Sequence, residues 1–439
     1  MGNIIKNDKP TIRAWAMFDW ANSAYNLVIT STIFPAYYTI ITLTEEYGDQ
    51  VNFFGFSFIN TALANYSLAF SYLVMVILLP IFSAIADYKG NRKSMMKVFT
   101  YIGGIACMGL YFFKLETLEW GIICSSLAAM GYIGGVLFNN SYLPEIATVD
   151  QQDAVSAKGF AYGYIGSVVL QLICFLFVLK PEWFGIEDPS FPARLSFLLV
   201  GIWWILFSQI SFRKLPNKPR NQNKLNHHII KKGFNELKKV WFQIKILPSL
   251  KGFLFAFFFY AMGVQTIMLV AAAFGEKVLH LGASKLIITI LLIQIVAIAG
   301  AYLMSWLASK IGNVRVLMIV VTLWIVICIS AFFISNEMQF YILAMLVGLV
   351  MGGTQSISRS TFSKLIPINT EDNASFFSFY DVTEKIAIVI GLFSFGFIEE
   401  LTHNIRLSAL FLVLFFLIGL ILLFRMPKAI VLQQNDIPG

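Results

Sequence analysis

Apolar runs of about 20 residues, the length that crosses roughly 30 Å of hydrocarbon as an α-helix, recur along the whole chain. They fall near 14–42, 59–86, 95–113, 119–143, 155–179 and 193–211. After one polar interval they resume near 250–275, 283–308, 316–336, 339–363, 374–399 and 405–425. The pattern predicts an all-α integral membrane protein of twelve transmembrane helices, here spans 1 to 12, in two sets of six. The expected division is an N-terminal half at 1–211, a linker at 212–249 and a C-terminal half at 250–439. The linker opens with the basic, proline-containing "RKLPNKPRNQNK" and continues with Ile230, Phe234, Leu237, Trp241 and Ile244 at helical spacing among lysines. That second part predicts a basic amphipathic connector helix on the cytoplasmic leaflet.

Polar residues interrupt the apolar runs in a regular way. In "FDWANSAYN" of span 1, Asp19, Asn22, Ser23 and Asn26 recur at i, i+3, i+4 and i+7, and Thr30 extends the series. A 3.6-residue period places all five on one face. An ionised Asp at membrane depth costs several kcal/mol, so it faces a bundle interior or water. Asp19 lies about two turns into the run, roughly 10 Å from its start, with Asn26 and Thr30 nearer the midplane. Two readings of Asp19 stay open: an acid that binds an amine or a proton, or a member of a packing or gating network.

Span 4 ends in "FNNSYLPEI". Its Asn139 and Asn140 stand about 100° apart on a helix, so one of the two is expected to face the interior. Spans 7, 8 and 10 carry the isolated amides Gln265, Gln294 and Gln355. A second charged set comprises Arg359 near the end of span 10 with Asp381, Glu384 and Lys385 early in span 11. Asp381 and Lys385 stand at i and i+4, a well-oriented ion pair. Arg359 is expected to reach Asp381 or Glu384 across the helix interface. It suits a substrate carboxylate, yet charges this close to a membrane surface favour a gate, and Tyr380 is placed to cap either arrangement.

Composition narrows the class. The chain is 58% hydrophobic and 13% charged, where a soluble domain carries about 25% charged residues. Its mean hydropathy is +0.74. The net charge of +8 sits in short loops and not on one folded basic face, which excludes nucleic acid as a partner. With both termini cytoplasmic, every Lys and Arg lies on the inner side except Lys114, Lys180, Arg194, Lys277, Lys285 and Arg406, as the positive-inside rule requires of a plasma (inner) membrane protein. The four cysteines lie inside apolar runs, and His227, His228, His280 and His403 are scattered over loops. Neither set has metal-ligand spacing, so no metal or cofactor is expected.

The two sets of six repeat. "SAIADYKGNRK" after span 2 matches "SWLASKIGNVR" after span 8, pairing Ser83 with Ser305, Gly90 with Gly312, Asn91 with Asn313 and Lys93 with Arg315 at one constant offset. Pro144 and Pro367 close spans 4 and 10 at nearly the same offset. A parallel repeat of six helices is the architecture of the major facilitator transporters. "ADYKGNRK" resembles their cytoplasmic signature at Asp87, Gly90, Arg92 and Lys93, with Ser83 and Tyr88 departing from it. The resemblance implies a gate in which Asp87 and the basic pair hold one state closed. Ser309 replaces the Asp in the second copy, implying a weaker gate there. "RAWAMFDWANSAYNLVITSTIFPAYY", "NNSYLPEIA", "GGTQSISRSTFSKLIP" and "FFSFYDVTEK" are similar to the family of the yeast vacuolar amino-acid effluxer linked to autophagy. That resemblance implies that spans 1, 4, 7 and 10 line a cavity. Asn22, Ser23, Asn26, Thr30, Asn139, Asn140, Gln265 and Gln355 then become expected substrate contacts. Asp19, Arg359, Asp381, Glu384 and Lys385 become expected proton or charge-coupling groups.

The expected function is secondary active transport of a small polar solute, an amino acid being the precedent, by alternating access with proton coupling. The expected partners are that solute, protons and membrane lipids, around a monomer. No Gly-x-x-x-x-Gly-Lys-Ser/Thr loop is present, so ATP is not the direct energy source within this chain. A membrane enzyme would need a clustered catalytic set that the sequence lacks. A lipid or glycolipid flippase, or a non-transporting sensor, on the same fold stays open as the alternative.

Overall fold

The computed structural model describes residues 5–43, 48–217, 229–368 and 370–427. Among them, long helices follow the apolar runs. Span 1 runs through Lys9–Ala24, a π-helical Tyr25–Ile33 and Phe34–Thr42. Spans 2 to 6 are Asn60–Lys89, Arg92–Gly109, Leu118–Asn140, Gln152–Leu179 and Phe191–Lys214. Spans 7 to 12 are Pro248–Leu279, Ala283–Ile311, Asn313–Phe333, Glu337–Leu365, Asn373–Thr402 and Ile405–Phe424. Ten of these helices are long and apolar enough to cross a bilayer by composition alone. The other two depart for different reasons. Span 1 is broken by its π-helical stretch, and span 11 carries Asp381, Glu384, Lys385, Glu399 and Glu400. These are the spans that bring most of the charge into the interior.

The π-helical stretch has a local cause. Pro35 has no N–H to give to the preceding turn, and the Ser31 and Thr32 hydroxyls donate to the carbonyls five residues back, on Asn26 (2.9 Å) and Leu27 (2.8 Å). The wider turn shifts the phase of everything after Asn26.

Apolar packing gathers in separate clusters. Two are built mainly from spans 1 to 6, around Trp204 and around Phe138, the latter joined by Ala374 of span 11, and a third around Trp324 and Phe416 of spans 9 and 12. The first and last described residues, Gly90 and Gly312 share one face, the basic face. Gly90 closes span 2 at φ 68°, a left-handed turn that favours glycine. The opposite face carries a small hairpin, β1 (Gln50–Phe53) against β2 (Phe56–Ile59), between spans 1 and 2.

The connector forms a helix, Ile229–Ile246. Residues 218–228, with His227, His228 and much of the proline-containing stretch, lie outside the described residues, as do the side chains of Ile230 and Phe234. The helix does not simply float on a leaflet. Val240 and Ile244 are buried, Lys239 reaches Asp372 at 3.2 Å, and the exposed Trp241 stacks on Phe379 of span 11. The connector also packs along span 2, so it straps spans 2 and 11 together beneath the bundle.

Candidate functional site

A cavity of about 1250 Å³, its mouth included, opens between the first six spans and the last six. Span 1 contributes Asp19, Asn22, Ser23 and Asn26, and span 4 contributes Asn140. Gln265 comes from span 7, Gln355 and Arg359 from span 10, and Asp381, Glu384 and Lys385 from span 11. The helical stripe read from span 1 therefore faces one space, with one correction. Thr30 does not line it and Ser31 does. The π-helical turn adds a residue between Asn26 and the next inward position, which carries Thr30 away from the cavity. Gln294 of span 8 is outside the lining.

The floor of the cavity is an ion pair between the two sets of spans. Arg359 Nη1 donates to Asp19 Oδ2 at 3.1 Å and to Asn140 Oδ1 at 3.1 Å. Its Nη2 donates to the Ser156 carbonyl at 2.8 Å and its Nε to the Ser156 hydroxyl at 3.0 Å. The guanidinium lies between the rings of Trp15 and Phe160, 4.7 and 4.1 Å from their centroids. Asn139 Nδ2 donates to the other Asp19 oxygen at 3.1 Å, so both asparagines serve the cluster, Asn140 from the lining and Asn139 from behind. Gly159 of span 5 makes room: a Cβ there would lie 2.4 Å from Asp19 Oδ2.

This geometry corrects two expected pairings. Arg359 meets Asp19 and not Asp381 or Glu384, because its side of span 10 faces spans 1 and 5. Lys385 bonds Glu384 Oε2 at 2.6 Å instead of Asp381, and Glu384 Oε1 accepts from Gln265 at 2.8 Å. Asp381 is buried and its Oδ2 has no hydrogen-bond partner. Gln355 accepts from the Tyr164 hydroxyl at 2.5 Å, joining span 10 to span 5. Asn22 lines the cavity, and its buried Nδ2 also lacks a partner.

Below the floor, more polar contacts join the two sets. Asp87 accepts from the backbone N–H of Ala374 (3.3 Å) and Ser375 (2.7 Å), in the first turn of span 11, where the helix dipole favours an anion. Arg92 stands 3.6 Å from Asp87 and is ion-paired with Glu145, which also accepts from Asn373. Lys93 instead donates to the Leu215 carbonyl at 2.7 Å, a bond within the first six spans, and Gly90 serves the turn. In the second copy of the loop, Ser309 bonds its own helix. Asp153 of span 5 supplies the missing acid, taking Lys364 at 2.5 Å and Asn313 at 2.6 Å. The signature's charge has moved across the interface.

Among the described residues, every hydrogen bond and ion pair joining the two sets lies between the cavity and the basic face. Glu145, Lys364 and Trp15 were missed as site residues, although each sits in a stretch quoted above for its resemblance. Asp153 and Ser156 carried no signal, because only the packing of span 5 on spans 1 and 10 gives them a role.

Comparison with known proteins places this geometry. A family model described as "Vacuole effluxer Atg22 like" matches residues 7–430. The chain is 30% identical over 430 residues to YxiO of Bacillus subtilis, described as an uncharacterized MFS-type transporter, covering 97% of each chain. It is 27% identical to Autophagy-related protein 22 of Eremothecium gossypii, covering 82% of this chain and 76% of that one. Among solved structures, the major facilitator transporter FucP in its outward conformation superposes with a TM-score of 0.72 at 14% identity, covering 96% of this chain and 99% of that one.

Proposed function

The chain belongs to the Atg22-like family of major facilitator transporters, and from that premise we propose that it moves a small polar solute by proton-coupled alternating access. One observation carries the reading. The polar contacts between the two sets of spans run from the cavity floor to the basic face among the described residues, as a carrier closed on one side requires. With the basic face in the cytoplasm of a plasma membrane, as the loop charges favour, this is an outward-facing state of a carrier with both termini inside.

The cavity chemistry favours a polar solute over a lipid. Amides from spans 1, 4, 7 and 10 converge on it, and Asn22 Nδ2 is a donor in want of an acceptor. An amino acid is the first solute to test, since both signs of charge stand beside those amides. A substrate carboxylate competes with Asp19 for the Arg359 fork. Binding would then loosen the pair that holds the floor shut, which links occupancy to opening.

Purified protein in liposomes, with a pH gradient imposed, should accumulate one member of a radiolabelled panel of amino acids, peptides, nucleosides and sugars. A protonophore should abolish the accumulation. Failure of every solute to exceed protein-free vesicles, or accumulation indifferent to the gradient, would overturn the reading.

A further inference from the structure

The ionisable side chains of the central cavity do not balance. Asp19 pairs with Arg359 and Glu384 with Lys385. Asp381 is left over. It lines the cavity, is only 3% exposed, and its Oδ2 has no hydrogen-bond partner. The groups around it are Tyr380, Glu384 and Lys385 on its own span, Arg359 on span 10, and the phenols of Tyr260, Tyr72 and Tyr132 from spans 7, 2 and 4. Span 12, also packed against span 11, has Arg406 as its one ionisable side chain, turned to the Phe332 carbonyl at the far end. Both nearby cations are already engaged by other carboxylates. An ionised Asp381 would be an unpaired charge at membrane depth, among the costliest arrangements available to a protein.

We propose that Asp381 carries the coupling proton: it is protonated in the state closed at the basic face and releases its proton when that face opens. The assignment rests on the transporter reading above and gives Asp19 a different task, that of a lock. Asp19 is already neutralised by Arg359 and bonded by Asn139, so it has no need of a proton. The burial of Asp381 favours a proton over a substrate amine, because a proton reaches a group that a solvated ammonium ion cannot.

Lys385 supplies the replacement charge. It stands one turn beyond Asp381, at the i, i+4 position from which it can pair with that carboxylate, yet it is bonded to Glu384. When the Asp381 O–H bond breaks and the proton passes to cavity water, Lys385 turns to the new carboxylate. Glu384 keeps the Gln265 amide that it already accepts from.

The test is an infrared titration of the purified protein in lipid nanodiscs, with no solute present. The carbonyl band of a protonated carboxylic acid should fade as pH rises. It should be absent in Asp381→Asn, and in Glu384→Gln, which frees Lys385 to pair with Asp381, it should move to lower pH. Lys385→Met, which removes the replacement cation, should carry the band to higher pH. Retention of the band in a monodisperse Asp381→Asn protein overturns the assignment, as does the lack of any titrating band. Gradient-driven uptake at the wild-type rate in Asp381→Asn also overturns it and leaves the transporter reading standing. A titrating Asp381 band in a protein that moves no solute overturns the transporter reading instead and keeps the protonation site.

Discussion

A single methyl group tests the Asp19–Arg359 lock without removing either charge. In Gly159→Ala the new Cβ would stand 2.4 Å from Asp19 Oδ2, 2.6 Å from Arg359 Nη2 and 2.7 Å from the Trp15 ring. Those are closer than carbon approaches such atoms, so the pair cannot keep its present geometry. Nη2 is also the donor to the Ser156 carbonyl, so displacing it strains a second bond. Overpacking in a tight interior costs about 1–3 kcal/mol, and a hydrogen bond to a charged group is worth about 1.5–3 kcal/mol. Overpacking with one such bond weakened amounts to about 3 kcal/mol against the closed floor. Once spans 5 and 10 part, Arg359 leaves the methyl and Asp19, released from its partner, can turn aside from it, and alanine is better than glycine in a helix by up to about 1 kcal/mol. Both terms have the same sign, and about 3 kcal/mol moves a two-state population roughly a hundredfold. Spin labels at Gln151 and Lys310, exposed positions at the basic ends of spans 5 and 8, report the opening by pulsed dipolar spectroscopy. The longer-distance population should grow in Gly159→Ala and in Asp19→Asn. An unchanged distribution in a monodisperse Gly159→Ala protein refutes the pair as a lock.

Asp87→Asn weakens the cap on the first turn of span 11 and should cost the closed state about 1 kcal/mol, a smaller shift in the same label distances. A shift equal to or larger than that of Gly159→Ala would contradict this ranking. Lys364→Met and Asp153→Asn disable one shared ion pair, so the double variant should open the basic face less than the sum of the singles; strict additivity would show that the pair is not coupled. On the opposite face, the Ser190 hydroxyl and amide hold Asp188 below the usual carboxylate range, with Arg194 adding to the effect. A depressed folded value means a contribution present above about pH 4, the unfolded range, and lost as pH falls through the lower folded value. The Tm difference between wild type and Asp188→Asn should therefore shrink on acidification, and a difference constant with pH would count against it.

Much of this protein was legible along the chain. Spans are set by the length of apolar sequence needed to cross hydrocarbon, a local requirement, so the predicted runs and the observed helices agree within a few residues. The stripe of Asp19, Asn22, Ser23 and Asn26 was legible for a similar reason: a helical period is a property of one segment. Thr30 failed where that period failed, at a π-helical turn set by Pro35 and the hydroxyls before it. What no single segment contains is which charge meets which. Spacing within span 11 pointed Lys385 at Asp381, and proximity in sequence pointed Arg359 at span 11. Only the docking of spans 1, 5 and 10 puts Arg359 between Trp15 and Phe160 with Asp19 in reach, and only then does Asp381 emerge as the carboxylate left without a cation. The shift of the second loop's acid from span 8 to Asp153 is likewise invisible along the chain, because an ion pair across an interface can be built from either side. The chain decided which segments enter the membrane; the packing of its two sets of spans decided where the charges balance.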